Sequence, residues 1–274
     1  MIRKFYLENT NGQQFHFKYS TGVLLSNIEG LGFVLDLSYL KYDHIHKFVK
    51  KDLPLLEISA TLTFLSSYEG YQSLIDYLNL ENENLKLYYE SFDMKYVYVD
   101  VASLSKSEIK DGTLTSEIIF NKKSYWIKER LILMEIGLSQ TGKVYPYSYA
   151  YHYQNTISNQ TQLKIGGSIK ASTKLEIIGS IDHPEVIVTR LGKIVNTLKL
   201  NITKNNTKLI ISSIPDDQYM HLEENNQIID IYANQDFTKD NFLYLDPGDL
   251  TLEFRPGVIG ENLCKVHIYE YHLG

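Results

Sequence analysis

One cysteine, one tryptophan and six prolines in 274 residues leave several function classes without their usual equipment. With Cys264 alone there is no intramolecular disulfide and no thiolate metal site. It stands in an alternating run near the end and is expected to be a small buried hydrophobe. No apolar run is long enough to span a membrane, and the opening MIRKFYLENTNGQQ lacks the apolar core of a signal peptide. The expectation is a chain made in a cytoplasm and not exported by a cleaved signal. Net charge is −6, with no Lys/Arg cluster interleaved with aromatics, which argues against sequence-specific nucleic-acid binding. The most basic piece, Lys41 to Lys51, also holds Asp43 and reads as a solvated face.

The motifs of catalysis are missing too. His44 and His46 are spaced i, i+2, which on a strand puts both imidazoles on one face, yet no third ligand or HExxH pattern accompanies them. The acidic stretch PDDQYMHLEENN, residues 215–226, lacks the ligand spacing and closing Glu of an EF-hand and reads as a solvated loop. KIGGSIK is neither a P-loop nor a dinucleotide fingerprint, and no GxSxG elbow occurs. Carboxylates are scattered rather than paired as a glycosidase needs. The expectation is a protein without enzymatic activity, cofactor or metal.

What the chain has in excess is tyrosine, 22 of them, a composition that leans to β structure. Alternation marks strands at Lys4–Leu7 and Phe15–Tyr19 around Asn11-Gly12, in GFVLDLSYL, and in LEISATLTFL, LKLYYES and MKYVYVDVASL. One helix is expected in SSYEGYQSLIDYLNL, where Tyr71, Leu74, Ile75 and Leu78 share a face. Ser67 is placed to cap it, and Glu69 suits its first turn. KSEIKDGTLTSEIIFNKKSYW closes a hairpin over Asp111-Gly112, with Leu114, Ile118 and Phe120 on one face. Past LILMEIG no helical period returns. Short strands follow at turn-marked spacing: LEIIGSI, EVIVTRLGKIVNTLKLNI, TKLIISSI, QIIDIYA, FLYLD, LTLEFR and CKVHIYEYH, with a type II turn at Asp246-Pro247-Gly248-Asp249. The chain is therefore mainly β, with domains expected at 1–143 and 144–274.

YPYSYAYHY begins at that boundary. Tyr145, Tyr147, Tyr149, Tyr151 and Tyr153 fall on alternate positions, so on a strand all five phenols line one side. The stripe suits a sugar-stacking platform, a domain or subunit junction, or packing on its own domain. Its place at the boundary favours the junction, since large exposed aromatic patches are rare without a partner.

The order of elements resembles a known family. LEISATLTFLSSYEGYQSLIDYLN, LKLYYE and KYVYVDVASLSKSEIKDGTLTSEIIFNKKSYW are similar to the N-terminal domain of distal tail proteins of long-tailed bacteriophages infecting Gram-positive bacteria. The residues that carry the resemblance are Phe64, Tyr71, Lys106, Ser107, Glu108, Ile109, Gly112, Leu114 and Trp126. LEIIGSIDHPEVIV and YLDPGDLTLEF look like that family's C-terminal galectin-like sandwich. The resemblance implies a β-sandwich-like ring domain with one α-helix followed by the galectin-like β-sandwich. It implies a homo-hexameric ring in the virion tail tip or baseplate, joining the tail tube protein to tail-tip proteins and the receptor-binding protein. DNA would pass through without being read. The main alternative is a cell-wall carbohydrate-binding module of galectin-like fold. After about 140 residues for each domain, little is left for a gripping arm or an inserted sugar-binding module.

Overall fold

The computed structural model describes residues 3–52, 54, 56–80, 84–136, 159–224 and 226–274. Among them are twenty strands and one α-helix, so the mainly β expectation holds. They divide into two units, one of residues 1–128 with 272–274, the other of residues 129–271. The expected boundary between residues 143 and 144 lies outside the described residues.

The first unit contains β1 (Lys4–Glu8), β2 (Gln14–His16), β3 (Val23–Glu29), β4 (Asp36–Tyr42), β5 (Ile45–Asp52) and β6 (Leu56–Phe64). Helix α1 (Tyr68–Asn79), β7 (Lys86–Glu90), β8 (Met94–Leu104) and β9 (Leu114–Lys122) complete it. Strands run antiparallel in the order β2-β1-β7-β8, and β8 continues through β9 and β6 to β3. Alternation decides which side chains go in: Ile58, Ala60, Leu62 and Phe64 of β6 and Leu114, Ile118 and Phe120 of β9 are buried, as their period predicts. They share a core with Leu87, Val97, Val99 and Trp126. Helix α1 contributes Leu74, Tyr77 and Leu78 to this core, with Tyr71 packed beside it. Ser67 does not cap the helix: its φ is 52°, and its Oγ donates instead to the Gly112 carbonyl at 2.9 Å.

The chain leaves this unit within β10 (Trp126–Ile136). The second unit is built from β11 (Asn159–Ile165), β12 (Ala171–Asp182), β13 (Glu185–Arg190), β14 (Lys193–Lys199), β15 (Thr203–Ile214), β16 (Asp217–Glu224), β17 (Gln227–Asp230), β18 (Tyr244–Leu245), β19 (Gly248–Arg255) and β20 (Asn262–His272). One sheet runs β17-β16-β15-β12-β20-β10 with β18 beside β12, and the other runs β11-β19-β13-β14. Leu175, Ile177, Leu209, Ile211, Cys264 and Val266 of the first sheet meet Val186, Val188, Leu252 and Phe254 of the second in one core, which makes a β-sandwich.

Four local readings are corrected. Residues 217–224 are strand β16 rather than a solvated loop, because Met220 and Leu222 alternate into the core between the outward Tyr219, His221 and Glu223. FLYLD shrinks to the two-residue β18, and in GFVLDLSYL the strand begins only at Asp36, where the glycine-broken segment ends. EVIVTRLGKIVNTLKLNI is a hairpin turning at Leu191-Gly192.

Candidate functional site

Most of the residues that carried the family resemblance meet around the start of α1. Phe64 ends β6 opposite Leu114 of β9, both fully buried, and the Phe64 ring meets the edge of Tyr71 at 5.6 Å. The Lys106 ammonium lies 4.7 Å from the Tyr68 ring centre and 5.5 Å from that of Tyr71, within cation–π range. The Tyr68 hydroxyl donates to Glu108 at 3.4 Å. Gly112, left-handed at φ 78°, offers the carbonyl that Ser67 binds. Ile109 stays exposed. The cluster fastens the 105–113 segment to the helix, so these residues hold local structure and bring no reactive group together.

Trp126 stands apart and serves another segment. Its buried indole N–H donates to the Leu31 carbonyl at 3.0 Å, and buried Lys122 donates to the Gly32 carbonyl at 3.2 Å. Burial pulls the Lys122 pKa below its ordinary value, and the Trp126 ring lies 5.7 Å away. Gly30 is left-handed at φ 80°, where a Cβ would sit 2.0 Å from the Glu57 carbonyl oxygen. Residues 30–32 are thus pinned by three separate contacts.

Beyond these pins β4 and β5 form a hairpin that pairs with no other strand among the described residues. Every residue from Asp36 to Lys50 is exposed, including Leu37, Tyr39, Leu40, Tyr42, Ile45, Phe48 and Val49. Tyr39 and Phe48 touch edge to face at 5.9 Å, with Lys41 and His46 on the same face. A two-stranded hairpin is marginal alone in water, and one so apolar on both faces has the character of a contact arm. The sequence reading of Lys41 to Lys51 as a solvated face agrees with that exposure, and the structure adds that the hairpin carries seven large apolar residues which find no core.

A second aromatic feature escaped the sequence reading. His16, Tyr6, Tyr88 and Tyr96 form one row across β2, β1, β7 and β8, because strand register sets them side by side. Tyr6 stacks on Tyr88 at 4.4 Å, and Tyr88 lies 5.2 Å from Tyr96. Burial raises the Tyr6 pKa, and the charges of Glu8 and Glu90 add to the rise. The signal was present as single tyrosines in three separate strands, visible only once register is known. The stripe chosen from sequence, Tyr145, Tyr147, Tyr149, Tyr151 and Tyr153, lies outside the described residues. His44 and His46 sit at the tip of the β4–β5 hairpin, and among the described residues no group of three His, Cys, Asp or Glu could hold a metal ion. Among the described residues no helix is long and apolar enough to cross a membrane.

Comparison with known proteins adds the following. Residues 4–123 match the family model described as distal tail protein, N-terminal domain. No curated protein sequence matches the chain. Among solved structures, the chain is similar to the Dit protein of phage SPP1, described as a paradigm of the hub adsorption apparatus in phages infecting Gram-positive bacteria. The TM-score is 0.64 at 11% identity, over 98% of this chain and 99% of that one. A chain of the phage P2 baseplate, in its activated conformation with calcium, gives 0.64 at 16% identity over 97% and 98%. The same baseplate with strontium gives 0.64 at 15% identity over the same shares. At these identities the likeness establishes a common fold along the whole chain.

Proposed function

We propose that the chain is a distal tail protein, a structural component of the bacteriophage tail tip, and that its copies close into a hexameric ring joining the tail tube to the host-adhesion apparatus. The match of residues 4–123 to that family's N-terminal domain and the fold shared with the SPP1 Dit protein support this reading. The observation that carries this reading is the β4–β5 hairpin. It exposes seven large apolar side chains on a pinned base, and such a surface is stable when a neighbour covers it. Its sequence also opposes the rest of the chain in charge. From Asp36 to Asp52 it holds four lysines and three aspartates, a small positive excess in a protein of net charge −6, so apolar area is the main attraction another copy offers it.

A ring is a heterologous contact repeated until it closes, so the arm of one protomer meets a different surface of the next. The role is architectural, carried by contact surfaces rather than by a reaction. Its partners are the tail tube protein on one side and tail-tip and receptor-binding proteins on the other, within the virion. The second unit, a galectin-like sandwich on this reading, presents itself to the adhesion proteins.

The test uses the single buried cysteine to advantage. An Ile45→Cys variant carries one accessible thiol at the hairpin tip. A thiol-to-amine cross-linker is expected to give a ladder ending at the sixfold band on a denaturing gel. A pattern confined to monomer or dimer would overturn the ring. Phe48→Asp in the same background is expected to abolish the ladder.

A further inference from the structure

Strand β14 is the last of its sheet, and the outer edge of its second half is covered. The cover is the segment between Ile231 and Leu243, both buried in the core of the sandwich. The Thr197 N–H donates to Asp240 Oδ2 at 2.9 Å, and the Thr197 carbonyl accepts from the Asp240 N–H at 3.0 Å. The Lys199 carbonyl accepts from the Asp236 N–H at 2.9 Å. Just past the strand, the Asn201 N–H donates to the Asn234 carbonyl at 2.6 Å. These are the backbone groups through which a further strand would pair, so the segment stands where that strand would lie.

The segment is also tied to itself. The Asn234 N–H donates to the Ile231 carbonyl and the Lys239 N–H to the Asp236 carbonyl, each at 2.9 Å. The Thr238 N–H and hydroxyl both donate to Asp236 Oδ1, at 3.0 and 2.7 Å, and the Tyr232 and Phe237 rings meet edge to face at 6.1 Å. Its hold on the core is a polar one. From 232 to 242 the only buried residue is Gln235, 2% exposed. It stands opposite Leu200 in an antiparallel bridge, so its side chain enters beside a core leucine. Neither Nε2 nor Oε1 of its amide has a hydrogen-bond partner among the described residues. An apolar side chain there would clamp the segment with no desolvation penalty. Each unpaired buried group instead weakens closure by about tenfold or more.

We propose that residues 232–242 form a lid that swings as one piece between Ile231 and Leu243, and that its closed form is an autoinhibitory contact over the β14 edge. Closed, the lid keeps a sheet edge from pairing with other chains. Open, it frees the Thr197 N–H and carbonyl, the Lys199 carbonyl and the Asn201 N–H, and the Gln235 amide regains water. The bonds within the segment survive the movement, which makes opening a local event rather than an unfolding of the sandwich. The lid lies within the second unit and does not depend on the ring.

The test is hydrogen–deuterium exchange of the full-length protein, read by fragmentation mass spectrometry at the amides of Thr197, Asn201, Asp236 and Asp240, with and without low urea. The reference is the amides of β12 and β15. The four lid-linked amides are expected to exchange at least about a hundredfold faster than the reference, at a rate that urea barely changes, since local opening exposes little surface. Gln235→Met is expected to slow all four about tenfold or more. Asp240→Ala removes the acceptor of Thr197 alone, yet is expected to speed Asn201 and Asp236 about tenfold as well, because the lid moves as one piece. Exchange of the four amides as slow and as urea-dependent as that of β12 and β15 overturns the lid, since the segment then opens only with the sandwich. No slowing in Gln235→Met shows that the amide is paired and also overturns it. An effect of Asp240→Ala confined to Thr197 overturns it too, since the segment then does not move as a unit.

Discussion

Replacing Cys264 tests whether the second unit has the dry, close-packed core described for it. The thiol sits in β20 opposite Ile177 of β12 and is fully buried. Burial alone pushes its pKa from 9.0 up to about 12. A thiol whose pKa rises on folding leaves stability untouched below pH 9.0, the ordinary value. Above it the unfolded chain loses the proton and the folded chain keeps it, so stability falls until pH passes about 12. Each unit of pH inside that window costs about 1.4 kcal/mol, so roughly 2 kcal/mol is lost by pH 10.5. Cys264→Ala removes this titration at the price of a small cavity, about 1–2 kcal/mol at neutral pH. Tyr77, raised to about 12 mainly by burial, acts in the same direction but is common to both proteins and cancels. The assay is urea unfolding of wild type and variant at pH 8 and pH 10.5, followed by circular dichroism. Wild type is expected to lose about 2 kcal/mol more than the variant between the two pH values. Equal losses would refute the reasoning and place the thiol in contact with solvent.

Other expectations follow from single contacts. Arg130→Leu leaves Glu270, only 2% exposed, without its 2.9 Å ion pair and is expected to cost about 3 kcal/mol by urea unfolding. Gly30→Ala drives a Cβ to 2.0 Å from the Glu57 carbonyl oxygen at a left-handed φ, and should cost at least about 2 kcal/mol while loosening proteolytic protection of the β4–β5 hairpin. Trp126→Phe removes the N–H bonded to Leu31 and should cost about 1–3 kcal/mol, read as a lower melting temperature. Lys106→Ala removes the cation that lies over Tyr68 and Tyr71, an expected loss of about 0.5–1 kcal/mol.

Legibility from sequence followed the range of the physics involved. Period-2 alternation is local, so β6 and β9, with Ile58, Leu62, Leu114 and Phe120 facing inward, were readable directly. The helix and the place of its start at Ser67 were legible, but the capping bond expected of Ser67 is not made because its hydroxyl binds Gly112, forty-five residues away. The β16 strand was missed because DDQYMHLEE has acidic residues at both ends, and they mask the inward alternation of Met220 and Leu222. The Tyr6–Tyr88–Tyr96 row joins residues from three separate strands, and only register assembles it. The hairpin was only partly legible. Its lysines marked a solvated face, in agreement with the exposure of the segment, but the seven large apolar residues on both faces of two strands, absorbed by no core, went unremarked.

The central claim is that this chain assembles as a ring of six. The most direct measurement is the native mass of the purified full-length protein, by native mass spectrometry across a concentration series. The account predicts a species six times the 31.7 kDa protomer, or a pair of such rings, populated at micromolar concentration and lost in Phe48→Asp. A distribution that stays at one protomer at every concentration, with Phe48→Asp indistinguishable from wild type, would contradict it.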